Sequence, residues 1–384
     1  MSIEETSSDA PVSDSEVPKW LRLALVFLLL YGFLVGVKAL ETGIKAFGAD
    51  FTESLFEGVS NPIAGLFVGI LATVLVQSSS VSTATIVGLV GSGALSVSAA
   101  VPMIMGANIG TTVTNTLASL GYLRRSREFR KAFAGATMHD FFNVLAVSVI
   151  LPLELLTGYL SKSANWLAVF LADNTSLAFD NPDSPIKDAV KAPVKLLEGL
   201  IEGASDNVIG VVMLVFGLAL IFLALALITK NMRLVMLGRI ERSMNALLSS
   251  GGGLTAMAIG VLITISVQSS SITTSVLVPM IAAGVITLQN AYPVTLGANL
   301  GTTVTALLAS LATDRPEGLV IALVHTLFNI SGIVLFYPIP KLRVLPIRAA
   351  EALSVVAERR KSLVLIYVFG VFVVLPFIGV LVLR

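Results

Sequence analysis

An internal repeat constrains this chain more than any other feature of its sequence. When the sequence is compared with itself at an offset of 191 residues, 24 of the 50 ungapped pairs from 71/262 to 120/311 are identical. QSSS recurs at 77–80 and 268–271, and GANIGTTVT at 106–114 matches GANLGTTVT at 297–305. Chance similarity between apolar segments would match leucine and valine rather than polar runs. The repeat therefore indicates two copies of one structural unit.

Composition and charge place both copies in a membrane. The 384 residues are 55% hydrophobic and only 13% charged, against about a quarter charged in soluble domains. Charged residues are absent from 58–123 and from 243–313, the stretches that hold the motifs. A net charge of +1 does not favour nucleic acid as a partner, and the absence of cysteine excludes disulfides and thiolate metal sites.

Each QSSS interrupts an apolar run that is too short to cross a bilayer. The runs cover 61–76 and 253–267, whereas a spanning helix needs about 20 residues. We therefore predict re-entrant helical hairpins at 61–92 and 253–285, each followed by a transmembrane helix broken at GAN-x-GTT. Full crossings are predicted at 20–45, 97–120, 130–159, 207–229, 288–312, 316–337 and 362–383.

The predicted fold class is an all-α polytopic membrane protein with two inverted-topology repeats. Three crossings per repeat turn the second copy upside down. The basic segments 124–131, 230–242 and 341–361 then share one side, which predicts a cytoplasmic N-terminus, whereas 161–206 has seven acids and four lysines. We expect a multi-pass plasma membrane protein, of the bacterial inner membrane.

The chain divides into six predicted segments. The acidic start of the chain cannot be a signal peptide. Apolar residues at helical spacing near 186–201 and 342–356 predict helices on the membrane surface, although plain packing would give the same spacing. The segments are a disordered acidic tail (1–18), repeat 1 (19–160), an extracytoplasmic loop with an interfacial helix (161–206), inverted repeat 2 (207–340), a cytoplasmic amphipathic segment (341–361) and a C-terminal transmembrane helix (362–384).

The serine motifs favour an oxyanion. Consecutive serines at the start of a half-helix combine hydroxyl donors with backbone N–H groups that have no intrahelical partner. We predict phosphate-binding roles for Ser78, Ser79, Ser80, Ser269, Ser270 and Ser271. The amides of Gln77, Gln268, Asn108 and Asn299 offer nitrogen to an anion or oxygen to a cation.

Oxygen ligands near the motifs suit a hard cation such as sodium. Candidate ligands are Ser82, Thr83, Thr111, Thr112, Thr273, Thr274, Thr302 and Thr303, with Asn108 and Asn299. No lysine or arginine lies near either motif, and two helix N-termini supply only roughly +1 in all. A phosphate dianion would remain under-neutralised there, so we expect bound cations to complete the site.

The two histidines and one acidic residue have more than one interpretation. His139 and His325 occur in HDFFN and HTLFN, each with an asparagine four residues later on the same helix face. They could act in gating or proton sensing, or tie neighbouring helices as buried polar groups. Asp140 is a functional candidate as an intramembrane acid, although a charge cluster at the helix end lies close to it.

The doubled QSSS with doubled GAN-x-GTT resembles the type II sodium-phosphate cotransporter family, and the compact length resembles its bacterial members. The resemblance covers the chain from about Leu23 to the last helix. It implies sodium-driven symport of inorganic phosphate, sodium as the only cofactor, lipids around the protein, and a possible homodimer. It also implies that Gln77 and Gln268, with their serines, line the phosphate. The chain ends at Arg384 without the soluble C-terminal domain of some relatives, and the sequon at 174–176 does not demonstrate glycosylation.

Several alternatives stay open. The motifs alone do not separate phosphate from sulfate or arsenate. QSSS can also mediate helix packing, and a passive anion channel would share the polar core. A membrane-embedded hydrolase is disfavoured because the charge-free core has no carboxylate pair, so we expect no enzymatic activity.

Overall fold

The computed structural model describes residues 18–48, 50, 53, 59–174, 185–249 and 252–383, and side chains at 237–249 are outside this description. Nearly all of the expected acidic tail, and part of the sequon at 174–176, lie outside the described residues. Every regular element in the described part is helical. This confirms the all-α class.

The helices follow the predicted order along the chain. They are α1 (Lys19–Ala46), α2 (Pro62–Val76), α3 (Ser79–Ser92), α4 (Val97–Gly110), α5 (Val113–Ser119), α6 (Ser126–Thr157), α7 (Tyr159–Asn174), α8 (Pro185–Leu200), α9 (Asp206–Ser249), α10 (Gly253–Val267), α11 (Ser270–Ser275), α12 (Leu277–Ala282), α13 (Leu288–Ser310), α14 (Glu317–Phe336), α15 (Pro340–Arg343), α16 (Leu345–Arg359), α17 (Ser362–Phe369) and α18 (Leu375–Leu383). A π-helical turn, Gly370–Val374, joins α17 to α18.

Six stretches of the described chain are long and apolar enough to cross a membrane. They are Lys19–Ala46, Val97–Tyr122, Ser126–Thr157, Asp206–Met236, Glu317–Phe336 and Ser362–Leu383. The chain is therefore a multi-pass membrane protein. The seventh predicted crossing, 288–312, is the helix α13, whose polar residues keep it out of this set.

Two pairs of short helices hold the QSSS motifs. In the first helix pair, α2 ends at Gln77 and α3 begins at Ser79; in the second, α10 ends at Gln268 and α11 begins at Ser270. The second pair continues into α12 after a break at Val276. Asn61, Ser78 and Ser269 cap the starts of α2, α3 and α11 with their side chains, as polar residues at N-cap positions usually do, whereas α10 has Gly252 at its N-cap position and no side-chain cap.

The helices that follow the two pairs differ from each other. In the first copy the helix is interrupted at Thr111 and Thr112, between α4 and α5, as predicted. In the second copy α13 runs unbroken from Leu288 to Ser310, so the expectation of a broken second helix is wrong. The two nonapeptides differ only at one position, Ile109 in the first copy and Leu300 in the second. The residue directly after each nonapeptide also differs. Asn115 hydrogen-bonds to Thr274 at 2.6 Å, whereas the equivalent position is Ala306.

The segment after the third crossing contains a helix that the sequence analysis had assigned to a loop. α7 buries Leu160, Ala164 and Ala168, a spacing of one helical turn, and packs against α14. Its first N–H groups, at Leu160 and Ser161, donate to the carboxylate of Glu154. α8 then occupies the position of the predicted amphipathic helix at 186–201.

Glycines allow the first helix of each pair to pack closely against the helix that follows the pair, α2 against α4 and α10 against α13. A Cβ atom at Gly106 of α4 would lie 2.0 Å from the carbonyl oxygen of Leu66 in α2. At the equivalent Gly297 of α13 it would lie 2.0 Å from the carbonyl oxygen of Met257 in α10. Small residues permit such backbone contact within membranes. This packing holds each QSSS tip beside its GAN-x-GTT segment.

A cluster of charges joins α1 to the end of α13. Asp314 accepts from Lys38 at 2.5 Å and from Lys45 at 3.2 Å, and the buried Glu41 pairs with both lysines. Burial alone would raise the pKa of Asp314, but the hydrogen bonds and charges of Lys38 and Lys45 hold that pKa well below its usual range. Its stabilising contribution is therefore complete above about pH 4 and is lost as the pH falls through the lower folded-state pKa.

The close packing predicts the effect of a single methyl group. Gly106→Ala places a Cβ against the Leu66 carbonyl oxygen, so we expect a loss of roughly 1–3 kcal/mol in stability and a lower thermal unfolding midpoint in detergent. Gly121→Ala is the matched control, because no atom lies within 4 Å of its Cβ position. Equal midpoints for the two variants would contradict the packing argument.

Candidate functional site

Each helix pair is joined through a glutamine with left-handed backbone conformation. Gln77 and Gln268 both have φ of 56° and are the only non-glycine residues with positive φ in the described part of the chain. This conformation costs an L-residue roughly 1–2 kcal/mol. Such strain persists only where the surroundings hold it, and it is concentrated at functional sites.

The glutamine side chains hold the two tips in place. The Gln77 Nε2 atom donates to the Val74 carbonyl at 2.5 Å, and its Oε1 atom accepts from the Thr114 hydroxyl at 3.1 Å. Gln268 repeats both bonds, with Ile265 at 2.7 Å and Thr305 at 2.8 Å. Each glutamine amide therefore caps the helix that ends there and connects this turn to the helix that follows the pair. One N–H of each amide remains available to donate.

The serines after each glutamine start a new helix. The Ser78 hydroxyl oxygen accepts from the Val81 amide at 3.3 Å, and the Ser269 hydroxyl oxygen accepts from the Ile272 amide at 3.4 Å. In each case the hydroxyl proton remains available to donate elsewhere. Ser79 and Ser270, one position later, are buried.

The two QSSS segments meet inside the protein. The buried Ser80 hydroxyl donates to the Gln268 backbone carbonyl at 3.4 Å across 188 positions of sequence. A second bond between the copies runs from the Asn115 amide to the Thr274 hydroxyl at 2.6 Å. The QSSS segments of both copies therefore belong to one polar cluster, which we call the QSSS cluster (77–80 and 268–271). Ser79, Ser80, Gln268 and Ser270 are buried in it, whereas Gln77 is exposed.

Four buried asparagines form a network beside the QSSS cluster. Asn299 donates to Asn143 Oδ1 at 2.9 Å, and Asn143 donates to the Asn108 carbonyl at 2.7 Å. Asn329 donates to Asn108 Oδ1 at 3.5 Å. The asparagines of HDFFN and HTLFN therefore join the two GAN segments, whereas both ring nitrogens of the buried His139 are without a hydrogen-bond partner. The contacts between helices in these two motifs are thus made by the asparagines.

The predicted sodium ligands are all buried, and their hydroxyl protons are engaged. Each hydroxyl donates to a backbone carbonyl three or four residues earlier in its own helix. These residues are Ser82, Thr83, Thr111, Thr112, Thr273, Thr274, Thr302 and Thr303. Such an oxygen still offers lone pairs but has no proton left to donate.

Asp140 adds a carboxylate next to the predicted sodium ligands. Its Oδ2 atom accepts from the Tyr367 hydroxyl at 2.8 Å, and Thr112 and Thr116 lie close to it. Its Oδ1 atom is buried without a hydrogen-bond partner. Among the described residues, no group of three or more His, Cys, Asp or Glu could hold a metal ion.

Sequence reasoning missed several members of this arrangement. Thr114 and Thr305 each follow their glutamine by 37 residues within the repeated nonapeptide, which was a usable signal. The sequence predicts a role for Asn143 and Asn329 only as the asparagines that follow His139 and His325 by four residues. Asn115 had no such signal, because its counterpart in the second copy is Ala306.

The arrangement of these motifs agrees with comparisons to known proteins. The family model described as Na+/Pi-cotransporter matches residues 33–164 and 220–338. Sodium-dependent phosphate transport protein 2A of Ovis aries is 36% identical over 93% of this chain and 67% of its own length. Protein 2B of Homo sapiens is 34% identical over 92% of this chain and 64% of its own length. No solved structure shows a significant match.

The chain thus spans about two thirds of the length of these curated relatives. Its match to the family model includes both QSSS segments and both GAN-x-GTT segments, whose contacts build the polar cluster. The relatives carry transporter names, and none of the names given above denotes an enzyme. The chain belongs to the Na+/Pi-cotransporter family.

Proposed function

We propose that this protein transports inorganic phosphate together with sodium ions, through a site at the QSSS cluster. The observation that carries the proposal is the contact between the Ser80 hydroxyl and the Gln268 carbonyl, which brings both motifs together. The names of the relatives support the two substrates. Because two equivalent helix starts meet there, their N–H groups can act on one anion.

Free hydroxyl protons define the phosphate side of the site. The oxyanion needs donors, and the hydroxyls of Ser78 and Ser269 accept from the backbone and keep their protons. Ser79 and Ser270 are buried beside them. We assign phosphate contacts to these four serines, with Ser80 and Ser271 at the edges. Gln77 and Gln268 shape the tips and each offer one remaining N–H.

Engaged hydroxyl protons define the sodium side. A hydroxyl that already donates to a carbonyl can only accept, so its oxygen suits a cation and not an anion. This condition holds for the eight serine and threonine residues named as sodium ligands above. The carbonyl-type oxygens of Asn108 and Asn299 lie in the same network.

Charge balance supports coupling between the two substrates. Two helix starts supply roughly +1, which leaves a phosphate dianion under-neutralised. Asp140 adds a buried carboxyl group, and no described cation pairs with it. A buried carboxylate without a cation partner is costly. We therefore propose Asp140 as a further sodium ligand, with Thr112 and Thr116 beside it.

The transport cycle that we propose is alternating access about inverted repeats. Three candidate spans, Val97–Tyr122, Ser126–Thr157 and Asp206–Met236, separate the two helix pairs. An odd number of crossings makes the pairs re-enter the membrane from opposite sides. Rocking of one copy against the other would then open the QSSS cluster to each side in turn. The basic segments favour a cytoplasmic N-terminus in this topology.

Uptake into liposomes tests the coupling. Purified protein should accumulate labelled phosphate only under an inward sodium gradient, and unlabelled phosphate should compete better than sulfate. Gln268→Ala removes two hydrogen bonds of about 1 kcal/mol each, so we expect uptake below about a fifth of wild type. Asn165→Ala, an exposed amide of α7, is the control. Accumulation that persists when potassium replaces sodium would refute the coupling.

The sodium dependence of uptake tests the role of Asp140. Asp140→Asn removes one negative charge, so the sodium concentration for half-maximal uptake should rise by about tenfold or more. Tyr367→Phe is the matched variant, because it removes the hydrogen bond to Asp140 but keeps the carboxylate. We expect a smaller change for it. An unaltered sodium dependence in a correctly folded Asp140→Asn protein would exclude a direct role.

A further inference from the structure

A cavity lies at the far end of α10 from the QSSS cluster. Its volume is about 320 Å³, and its lining includes Gly252, Gly253, Tyr292, Tyr337 and Arg343. α10 runs 15 residues from Gly253 to Val267, so about 20 Å of helix separates the cavity from Gln268. The cavity therefore does not belong to the site proposed above.

The start of α10 faces this cavity without a side-chain cap. Gly252 occupies the N-cap position and has no side chain to accept from the first N–H groups. In the first copy the equivalent residues are Asn61, whose side chain accepts from the Ile63 amide, and Pro62, which has no N–H. Among the described residues, no N-cap side chain therefore accepts from the first N–H groups of α10, whereas the first copy satisfies or removes the equivalent donors. Uncapped helix starts attract anions.

Tyr292 brings an unpartnered hydroxyl to the same cavity. Its side chain is only 1% exposed, and its hydroxyl is buried without a hydrogen-bond partner. Leaving a buried polar group unpaired costs about 1–3 kcal/mol. The equivalent residue of the first copy is Val101, so the hydroxyl is not required by the shared fold.

The cavity carries positive charge and no described acid. Arg343 lies 5.2 Å over the ring of Tyr337, and none of the described lining residues is acidic. A Cβ atom at Gly253 would lie 1.7 Å from the Tyr337 hydroxyl, so glycine is needed for this tyrosine to reach the helix start. The guanidinium and the starts of α10 and α13 together supply roughly +2. That charge matches a dianion without any sodium.

We propose that this cavity is a second anion site, which binds a tetrahedral phosphate group without sodium. Arg343, the Tyr292 hydroxyl and the free N–H groups at the start of α10 hold the anion. The group comes from inorganic phosphate or from the phosphomonoester headgroup of a lipid. Since neither QSSS segment takes part, the inference does not depend on the transport mechanism.

Equilibrium dialysis in sodium-free potassium buffer tests this site on the purified full chain. The probes are labelled inorganic phosphate and, separately, a labelled short-chain phosphatidate. We expect saturable binding of one probe per chain, weaker by about tenfold or more in Arg343→Gln and by several-fold in Tyr292→Phe. Arg348→Gln, an exposed cation of α16 outside the cavity, should bind as wild type does.

The outcomes separate the two sources and the two sites. Tighter binding of inorganic phosphate identifies the free anion, and tighter binding of phosphatidate identifies a lipid headgroup; either result supports the proposal. Gln77→Ala with Gln268→Ala should leave this sodium-free binding intact. The proposal is overturned if neither probe saturates, if Arg343→Gln and Tyr292→Phe bind as wild type does, or if the double glutamine variant abolishes binding.

Discussion

The left-handed turn at each glutamine is the constraint on which the candidate site depends. At Gln77 and Gln268 one helix ends and another begins within two residues. The first N–H groups of the new helix therefore lie within a largely apolar segment of the chain and have no partner in their own helix. Unsatisfied backbone groups are costly there, so a polar partner is required. The glutamine amides satisfy the helix that ends, and the serines partly satisfy the helix that begins. The two helix starts lie close to each other, because the Ser80 hydroxyl donates to the Gln268 carbonyl.

Backbone packing converts two local turns into one site. Gly106 and Gly297 let each GAN-x-GTT helix contact the first helix of its pair, and Thr114 and Thr305 then reach the glutamines. The asparagine network joins the copies beyond the tips. The hydroxyls of Ser78 and Ser269 keep a proton to donate, whereas those of Thr111 and Thr302 donate to backbone carbonyls. We propose that this difference separates the anion side of the site from the cation side.

Much of this arrangement could be predicted from the sequence, because the repeat placed identical polar residues in charge-free segments. The positions of the helix breaks at 77 and 268 follow from run length, and the helix-start chemistry follows from the serines. The remaining features depend on contacts between segments that are distant in sequence. The unbroken α13 has almost the same motif as the broken first helix, and the hydroxyl partners of the glutamines lie 37 residues away. α7 was missed because its polar and apolar residues resemble those of a surface loop.

The two copies also differ in ways that the repeat alone conceals. Gly252 and Gly253 replace Asn61 and Pro62, and Tyr292 replaces Val101, so the residues that line the cavity at the start of α10 differ from their equivalents in the first copy. In the second copy, the apolar Ala306 takes the place of Asn115, and the uncharged Thr326 takes the place of Asp140. A shared fold therefore supports different chemistry at its two ends.

The central claim is that serines of both copies hold a single anion. An experimental structure of the chain in lipid nanodiscs, determined by electron cryomicroscopy with sodium phosphate present, tests it most directly. The account predicts density for one tetrahedral anion in contact with Ser78 or Ser79 and with Ser269 or Ser270. An anion bound to one QSSS segment alone, or two segments too far apart to share a ligand, would contradict it.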